Sequence, residues 1–279
     1  MAALKHKLQR TYGRGRLVVK EGVGGTRIDQ IYQEGAGKIR VPKTYDKSLE
    51  AVLINTSGGL TGGDFLNWEI TAQKNTNLVV TTQACEKIYK SPGDEALIQT
   101  TIKVADGARL DWLPQETILF NESRLQRQLT ARLEGSARLI LLEAGMLGRA
   151  AMNETVADCT FLDRWRVYRN EILVHGDDVR LNGEIHNLSK ARALLNSNAA
   201  FASLAYIGPE DTDQLKVHTT SLMPLAENLG IGLSVMDGKV LARFLAKDCY
   251  HLRQKVIPFL DKLRCNLGAG TVLPKVWNL

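Results

Sequence analysis

Residues 97–143 read LIQTTIKVADGARLDWLPQETILFNESRLQRQLTARLEGSARLILLE. Short β-type runs, LIQTTIKV (97–104), RLDWL (109–113), ETILF (116–120) and RLILLE (138–143), are separated by Gly, Asn, Asp or Pro turns, the pattern of an all-β unit. Two related turns, Asp106-Gly107-Ala108-Arg109 and Glu134-Gly135-Ser136-Ala137-Arg138, each open an apolar run, and Gly107 and Gly135 are 28 positions apart. A turn that recurs ahead of a strand predicts successive turns of a stacked β structure.

The pattern extends outward from this stretch. LVV (17–19), KIRV (38–41), AVLIN (51–55), LNWEI (66–70) and NLVVTT (77–82) precede it, and strand character continues through 164–174 and 179–185. After Gly208 the acidic, turn-rich segment 209–213 suits a helix N-terminus and leads into Leu215, His218, Leu222, Leu225 and Leu229 at helical spacing. Residues 230–235 and 239–245 return to strand across the Asp237-Gly238 turn, and Asp248 then caps a second helix that Pro258 should bend. The expected fold is mainly β, a stacked, β-helix-like scaffold with about two α-helices near the C-terminus, over 209–229 and 248–265. Without a Pro-, Ser- or Gly-rich linker, residues 1–279 are expected to form a single domain.

The 279 residues are 44% hydrophobic and 24% charged, enough to bury a core without staples. No run reaches the roughly 18 apolar residues of a membrane helix, and the N-terminus lacks a secretory apolar stretch, so a cytoplasmic protein is expected. Residues 1–43 hold ten Lys/Arg against three Asp/Glu, or +7 of a net +6, so the basic character is local. Such a segment suits nucleic acid, an anionic membrane or an acidic partner, or is simply a solvated, mobile face. Cys85, Cys159, Cys249 and Cys265 form no C-x-x-C pair, which speaks against structural zinc and for small buried hydrophobes.

Most catalytic signatures are missing. The segment Gly58-Gly59-Leu60-Thr61-Gly62-Gly63-Asp64 has the glycine density of a phosphate loop, but Asp64 stands where a Walker loop needs Lys, and its charge would repel a phosphate. There is no G-x-S-x-G elbow or H-E-x-x-H pair, and the five histidines are dispersed. No enzyme activity is expected. Three segments instead place polar groups in strand contexts: the glycine segment, in which Asp64 can bond its own turn, then TTQACEKIY (81–89) and LPQETILF (113–120). Asp111 and Glu143 join the list, with a hydrated space or salt bridges to Lys87 and Arg149 as the alternatives.

In this order and spacing, G-G-L-T-G-G-D, T-T-Q-A-C-E-K-I-Y-K-S, L-P-Q-E-T-I-L-F and E-A-G-M-L-G-R (143–149), with V-L-A-R-F-L-A-K-D and P-K-V-W near the end, resemble the urease accessory protein family UreD, also called UreH. Cys85 and Glu86 stand where an Ala and a small polar residue are common in that family, Cys159 where a Gly is usual, and Lys275 where Arg is expected. The resemblance implies a non-catalytic scaffold that binds UreF directly and the GTPase UreG through it. It also implies docking on apo-urease and transient passage of Ni²⁺, with no tightly bound cofactor, no nucleic acid and no membrane. A conduit needs weak, dispersed oxygen ligands, since a preformed thiolate and imidazole cluster would hold Ni²⁺ too tightly. Thr82, Glu86, Asp111, Glu116, Glu143 and Asp178 are the expected path residues, Gly58, Gly59, Gly62, Gly63 and Asp64 a structural motif, and Tyr250, Arg253 and Trp277 the expected partner contacts. The competing class is a carbohydrate-active or carbohydrate-binding β protein.

Overall fold

In the computed structural model, residues 9–43, 48–148, 154–236, 238–269 and 273–278 are described. Strands make up 53% and helices 17% of the chain, which bears out the mainly β, stacked reading. Arg149 and Asp237, named above, lie outside the described residues.

The chain winds between two sheets. The first contains β1 (Tyr12–Gly22), β2 (Gly25–Gly35), β5 (Phe65–Ala72), β8 (Ala96–Val104), β11 (Ser123–Leu133), β13 (Asp158–Arg169) and β14 (Ile172–Glu184), in the order β14-β13-β11-β8-β5-β1-β2. The second contains β3 (Gly37–Arg40), β4 (Leu49–Asn55), β6 (Asn77–Thr82), β9 (Arg109–Leu113), β12 (Arg138–Leu147), β15 (Ala200–Ile207), β16 (Gly232–Met236) and β17 (Lys239–Ala246), in the order β16-β17-β15-β12-β9-β6-β4-β3. The short strands β7 (Glu86–Ile88) and β10 (Thr117–Leu119) join β12 from the side. Strands β5, β8, β11 and β13 are parallel, as are β4, β6, β9 and β12, so each winding adds one strand to each sheet. Hairpins and antiparallel pairs close the ends of the stack.

The recurring turns stack on one another. Asp106 Oδ1 accepts from both the backbone N–H and the Oγ of Ser136 at 2.8 Å, while Ser136 Oγ accepts from Gly107 N at 3.1 Å. Asn75, Gly107, Gly135 and Asn170 all take positive φ, of 57°, 72°, 47° and 47°. Only Gly adopts this region freely, and Asn tolerates it best among side-chain residues. Two strands fall outside the apolar runs: β2 has no buried residue, and β11 alternates Leu or Ala with Arg, Gln and Thr. The described part of the basic segment is therefore largely strand, β1 to β3, with β2 at the solvated edge of the sheet.

Two apolar layers result. Leu17, Trp68, Ile102, Leu129, Leu141 and Phe161 fill the space between the sheets, and Ile140, Leu142, Leu204, Phe244, Phe259 and Leu263 fill the space between the second sheet and the helices. The first expected helix forms as α2 (Thr212–Thr219), a 3₁₀ turn (Thr220–Leu222) and α3 (Met223–Leu229), with Pro224 in the first turn of α3, where its missing N–H costs nothing. Asp211 caps α2 through a capping box with Gln214. The second helix, α4 (Cys249–Asn266), is capped by Asp248 and runs unbroken past Pro258, with Leu252, Val256 and Leu263 inward. A short helix, α1 (Ile185–Lys190), which the sequence pattern does not signal, follows β14 where the expected strand 179–185 ends.

Replacing Gly107 by Ala forces a Cβ to within 2.4 Å of Asn75 Oδ1 at a positive φ. Chemical denaturation should report a loss of at least about 1–2 kcal/mol, whereas Gly93→Ala, with open space around it, should be nearly silent.

Candidate functional site

Strand parity sorts the polar residues into two groups. In β9 and β12, Trp112 pairs with Leu141, whose side chain belongs to the inter-sheet layer; Glu143, two residues on, shares that face. Asp111 pairs with Ile140 of the helix-side layer and therefore points the other way. Glu86 pairs with Thr117, which pairs with Gly145, so Glu86, Thr117 and Glu143 lie on the inter-sheet face. Glu116, next to Thr117, faces α4.

On the inter-sheet face, Arg127 of β11 reaches across from the first sheet. Its Nε and Nη2 donate to the Asp163 oxygens at 3.0 and 2.7 Å, its Nη1 donates to Thr117 Oγ1 at 3.0 Å, and Nη1 lies 2.5 Å from Glu143 Oε2. Trp112 Nε1 donates to Glu143 Oε1 at 2.9 Å. All three charged side chains are under 8% exposed. One guanidinium between two carboxylates leaves an excess negative charge, and burial pushes the Glu143 carboxyl up to about 7, against the pull of Arg127. Glu86 is partly exposed and takes one side-chain hydrogen bond, from Asn55 Nδ2 at 3.0 Å; desolvation lifts it, too, to about 7.

On the helix side, Asp111 is held between Arg109 Nε at 3.0 Å and Arg264 Nε at 2.9 Å. Arg253 of α4 clamps Glu116 with Nε and Nη2, both at 2.7 Å, and also donates to Gln115 Oε1. Despite a strong desolvation push upward, Arg253 holds Glu116 below the usual carboxylate range. Cys85 Sγ donates to Glu116 Oε2 at 3.4 Å, and Cys249 Sγ donates to Met146 Sδ at 3.1 Å.

The remaining expected residues are spread more widely. Thr82 Oγ1 accepts from Gln115 N at 2.8 Å and donates to Ala84 O, tying β6 to the β9–β10 connection. Asp178 lies on the outer face of the first sheet, 41% exposed and paired with Arg166, away from the interior carboxylates. The glycine segment carries the chain from β4 in one sheet to β5 in the other: Asp64 Oδ1 accepts from Thr11 N and Oδ2 from Thr61 N, both at 2.7 Å. A Cβ at Gly62 would meet Asp94 O at 2.1 Å, and Gly58, Gly59 and Gly63 take positive φ. Tyr250 is exposed, whereas Trp277 is 1% exposed and donates to Leu113 O at 3.1 Å, with Arg253 over its ring. Trp277 thus anchors the C-terminus, leaving Tyr250 as the outward-facing member of the expected contacts.

The sequence reading missed Arg127, Asp163, Arg109, Arg264 and Asn55. Alternation could have exposed the first two, because Arg127 and Asp163 occupy inward positions flanked by Leu125, Leu129, Phe161 and Trp165. Among the described residues, no group of three or more His, Cys, Asp or Glu side chains is placed to hold a metal ion, and no helix is long and apolar enough to cross a membrane. A groove of about 740 Å³ crosses the turn ladder beside Lys20, Lys103, Arg132 and Glu171, but its mixed surface charge is remote from the buried carboxylates.

The profile of the family described as UreD urease accessory protein matches residues 11–278. The chain belongs to this family. It is 46% identical over 279 residues to the urease accessory protein UreD of Rhizobium johnstonii, covering 100% of this chain and 99% of that one. It is also 46% identical over 273 residues to the Sinorhizobium medicae protein of the same name, covering 97% of each, and 45% identical over 271 residues to that of Agrobacterium fabrum, covering 97% and 92%. An accessory role in urease maturation follows from this membership, and it agrees with the lack of catalytic signatures in the sequence.

Removing Arg127 strands two buried carboxylates. Arg127→Met should cost about 3–5 kcal/mol in urea unfolding. Between pH 4.5, the ordinary value, and about 7 the folded protein retains protons on Glu143 and Glu86 that the unfolded chain has released, so stability should fall as pH rises through that window. The double variant Glu86→Gln/Glu143→Gln should flatten that slope in denaturation midpoints measured from pH 5 to 8.

Proposed function

We propose that the chain is a non-catalytic scaffold in nickel delivery to apo-urease, binding UreF directly and the GTPase UreG through it, and passing Ni²⁺ along a wet route between its two sheets. The observation that carries the reading is the line of polar groups on one face of an otherwise apolar layer. It begins at Glu86, partly exposed, passes Thr117 and ends at the buried pair Glu143 and Asp163. Trp165 Nε1 and His175 Nε2 are buried nearby without hydrogen-bond partners among the described residues, and such groups call for water.

Each carboxylate along this line can take part in passage without holding the cargo. Glu86 is bound by the Asn55 amide and the Lys87 backbone N–H, so an arriving cation competes with neutral hydrogen bonds and one proton and not with a fixed positive charge. Glu143 is shared with Arg127, whose positive charge weakens its hold on any second cation. Sites of this kind attract an ion and release it, as conduction requires. Glu116 and Asp111, clamped by arginines on the opposite side of the sheet, fix α4 to the scaffold and support the route; Thr82 ties β6 to the same segment, and Asp178 lies outside the route. Docking of the partner proteins would use the surface around Tyr250, which α4 turns outward.

Coexpression of urease with its maturation proteins tests the route. Glu86→Gln and Glu143→Gln should leave copurification with UreF intact and lower urease nickel content several-fold, read by atomic absorption. Unchanged nickel loading in the double variant would exclude the route. Gln is the appropriate replacement, because an apolar residue at Glu143 would leave Arg127 with a broken network.

A further inference from the structure

Among the described residues, the outer face of the first sheet is left uncovered: its inward side chains fill the inter-sheet layer, and the helices pack on the second sheet. Strand alternation puts every second residue of β1, β5, β8, β11, β13 and β14 on that outer face, where all are half-buried or exposed. These positions carry nine Lys or Arg against four Asp or Glu, an excess of five in a chain whose net charge is +6.

The excess is not neutralised within the face. Arg14 and Arg16 share Glu69, at 2.5 and 2.7 Å, and Arg164 and Arg166 share Asp178, at 3.5 and 2.7 Å, so each acid leaves one guanidinium charge over. Lys20 and Arg132 are spent on Asp29 and Glu171. Lys103, Arg124 and Arg180 have no carboxylate within ion-pair distance among the described residues. Between the two arginine pairs lies a neutral row: Asn67, Gln99 and Gln128 stand in register from Arg14 to Arg164, with Thr101 and Thr130 beside them. The strand spacings from β1 to β13 set the two charged lines roughly 19 Å apart. A depression of about 400 Å³ opens between Arg16 and Lys103 over Thr71 and Thr101, room for a projecting side chain.

The chemistry selects the occupant. Seven of the nine cations are arginines, whose planar fork matches a carboxylate, and Tyr12 and Tyr32 stand exposed at the rim. Surfaces rich in Arg and Tyr and poor in Lys are those that protein partners cover. A DNA duplex is convex and would meet the neutral row first, with its phosphates held off the charged lines. The face spans roughly 30 Å across the strands and roughly 25 Å along them, or about 700 Å², close to one side of a standard protein interface. We propose that this face docks a protein partner through an acidic surface. Carboxylates of the partner meet Lys103, Arg124, Arg180 and the shared guanidiniums, and its polar groups bond the row from Asn67 to Gln128. The inference does not rest on the nickel reading, since it concerns the side of the stack away from α4 and is measured without urease or nickel.

The test is fluorescence anisotropy of labelled poly-L-glutamate with the full chain at physiological salt, beside a labelled DNA duplex and cosedimentation with phosphatidylserine vesicles. Poly-L-glutamate should bind, and more weakly as salt rises. Lys103→Glu/Arg124→Glu/Arg180→Glu should weaken it roughly tenfold or more, because three attractions become repulsions. Gln99→Ala/Gln128→Ala, at unchanged charge, should weaken it several-fold. Lys247→Glu/Lys262→Glu/Lys275→Glu, the same change of net charge placed at and beyond α4, should alter it by less than about twofold. The three cations replaced on the face hold no ion partner, so the fold should be kept, which circular dichroism checks, and Lys103→Glu alone serves as the milder variant. Absence of binding to poly-L-glutamate, tighter binding to the duplex or the vesicles, or equal losses in the two triple variants would overturn the assignment.

Discussion

Arg127 sits between two sheets and must find its counter-charges there, since an unpaired guanidinium in an apolar layer would be strongly destabilising. Asp163 comes from the neighbouring strand of the same sheet and Glu143 from the opposite sheet, so this one side chain joins both walls of the stack. The ion triplet requires β11, β12 and β13 to be in register. A slip of one residue in any of them would turn a charged group toward the outer face and an outer residue inward. The same register stacks the Asp106 and Ser136 turns and orders the windings.

The second sheet is buried on both sides, and its polar residues do different work on each. Toward the first sheet they are shared or sparsely bonded carboxylates, two of them lifted to about 7. Toward the helices they are arginine-clamped, with Arg253 and Arg264 of α4 bonded to Glu116 and Asp111. The division has a physical origin. Helix α4 can carry long cationic side chains whose stems pack on the sheet while their heads reach its carboxylates. In the inter-sheet layer Arg127 is shared between two acids, Glu143 and Asp163.

Several features were legible in the residues alone. The Asp-Gly and Glu-Gly turns ahead of apolar runs announced a stack, Asp248 announced α4, and the segments from Gly58 to Arg149 carried the family resemblance. Local chemistry is sufficient for these, because turns, caps and periodicity depend on near neighbours. β2 escaped notice because it is an edge strand with no buried residue, and β11 because Arg127, at an inward position between Leu125 and Leu129, interrupts its apolar alternation. Asp178 and Glu143 look alike in sequence, yet one lies on an outer face and the other in the interior.

Composition, turn chemistry and strand-length runs thus determined the class of fold and, through the motifs they frame, the family. The side of the sheet each acid faces and the arginine that meets it were decided only by the tertiary structure. Those features depend on register between strands tens of residues apart and on where α4 lands, and long-range pairing leaves no mark in any short stretch of chain.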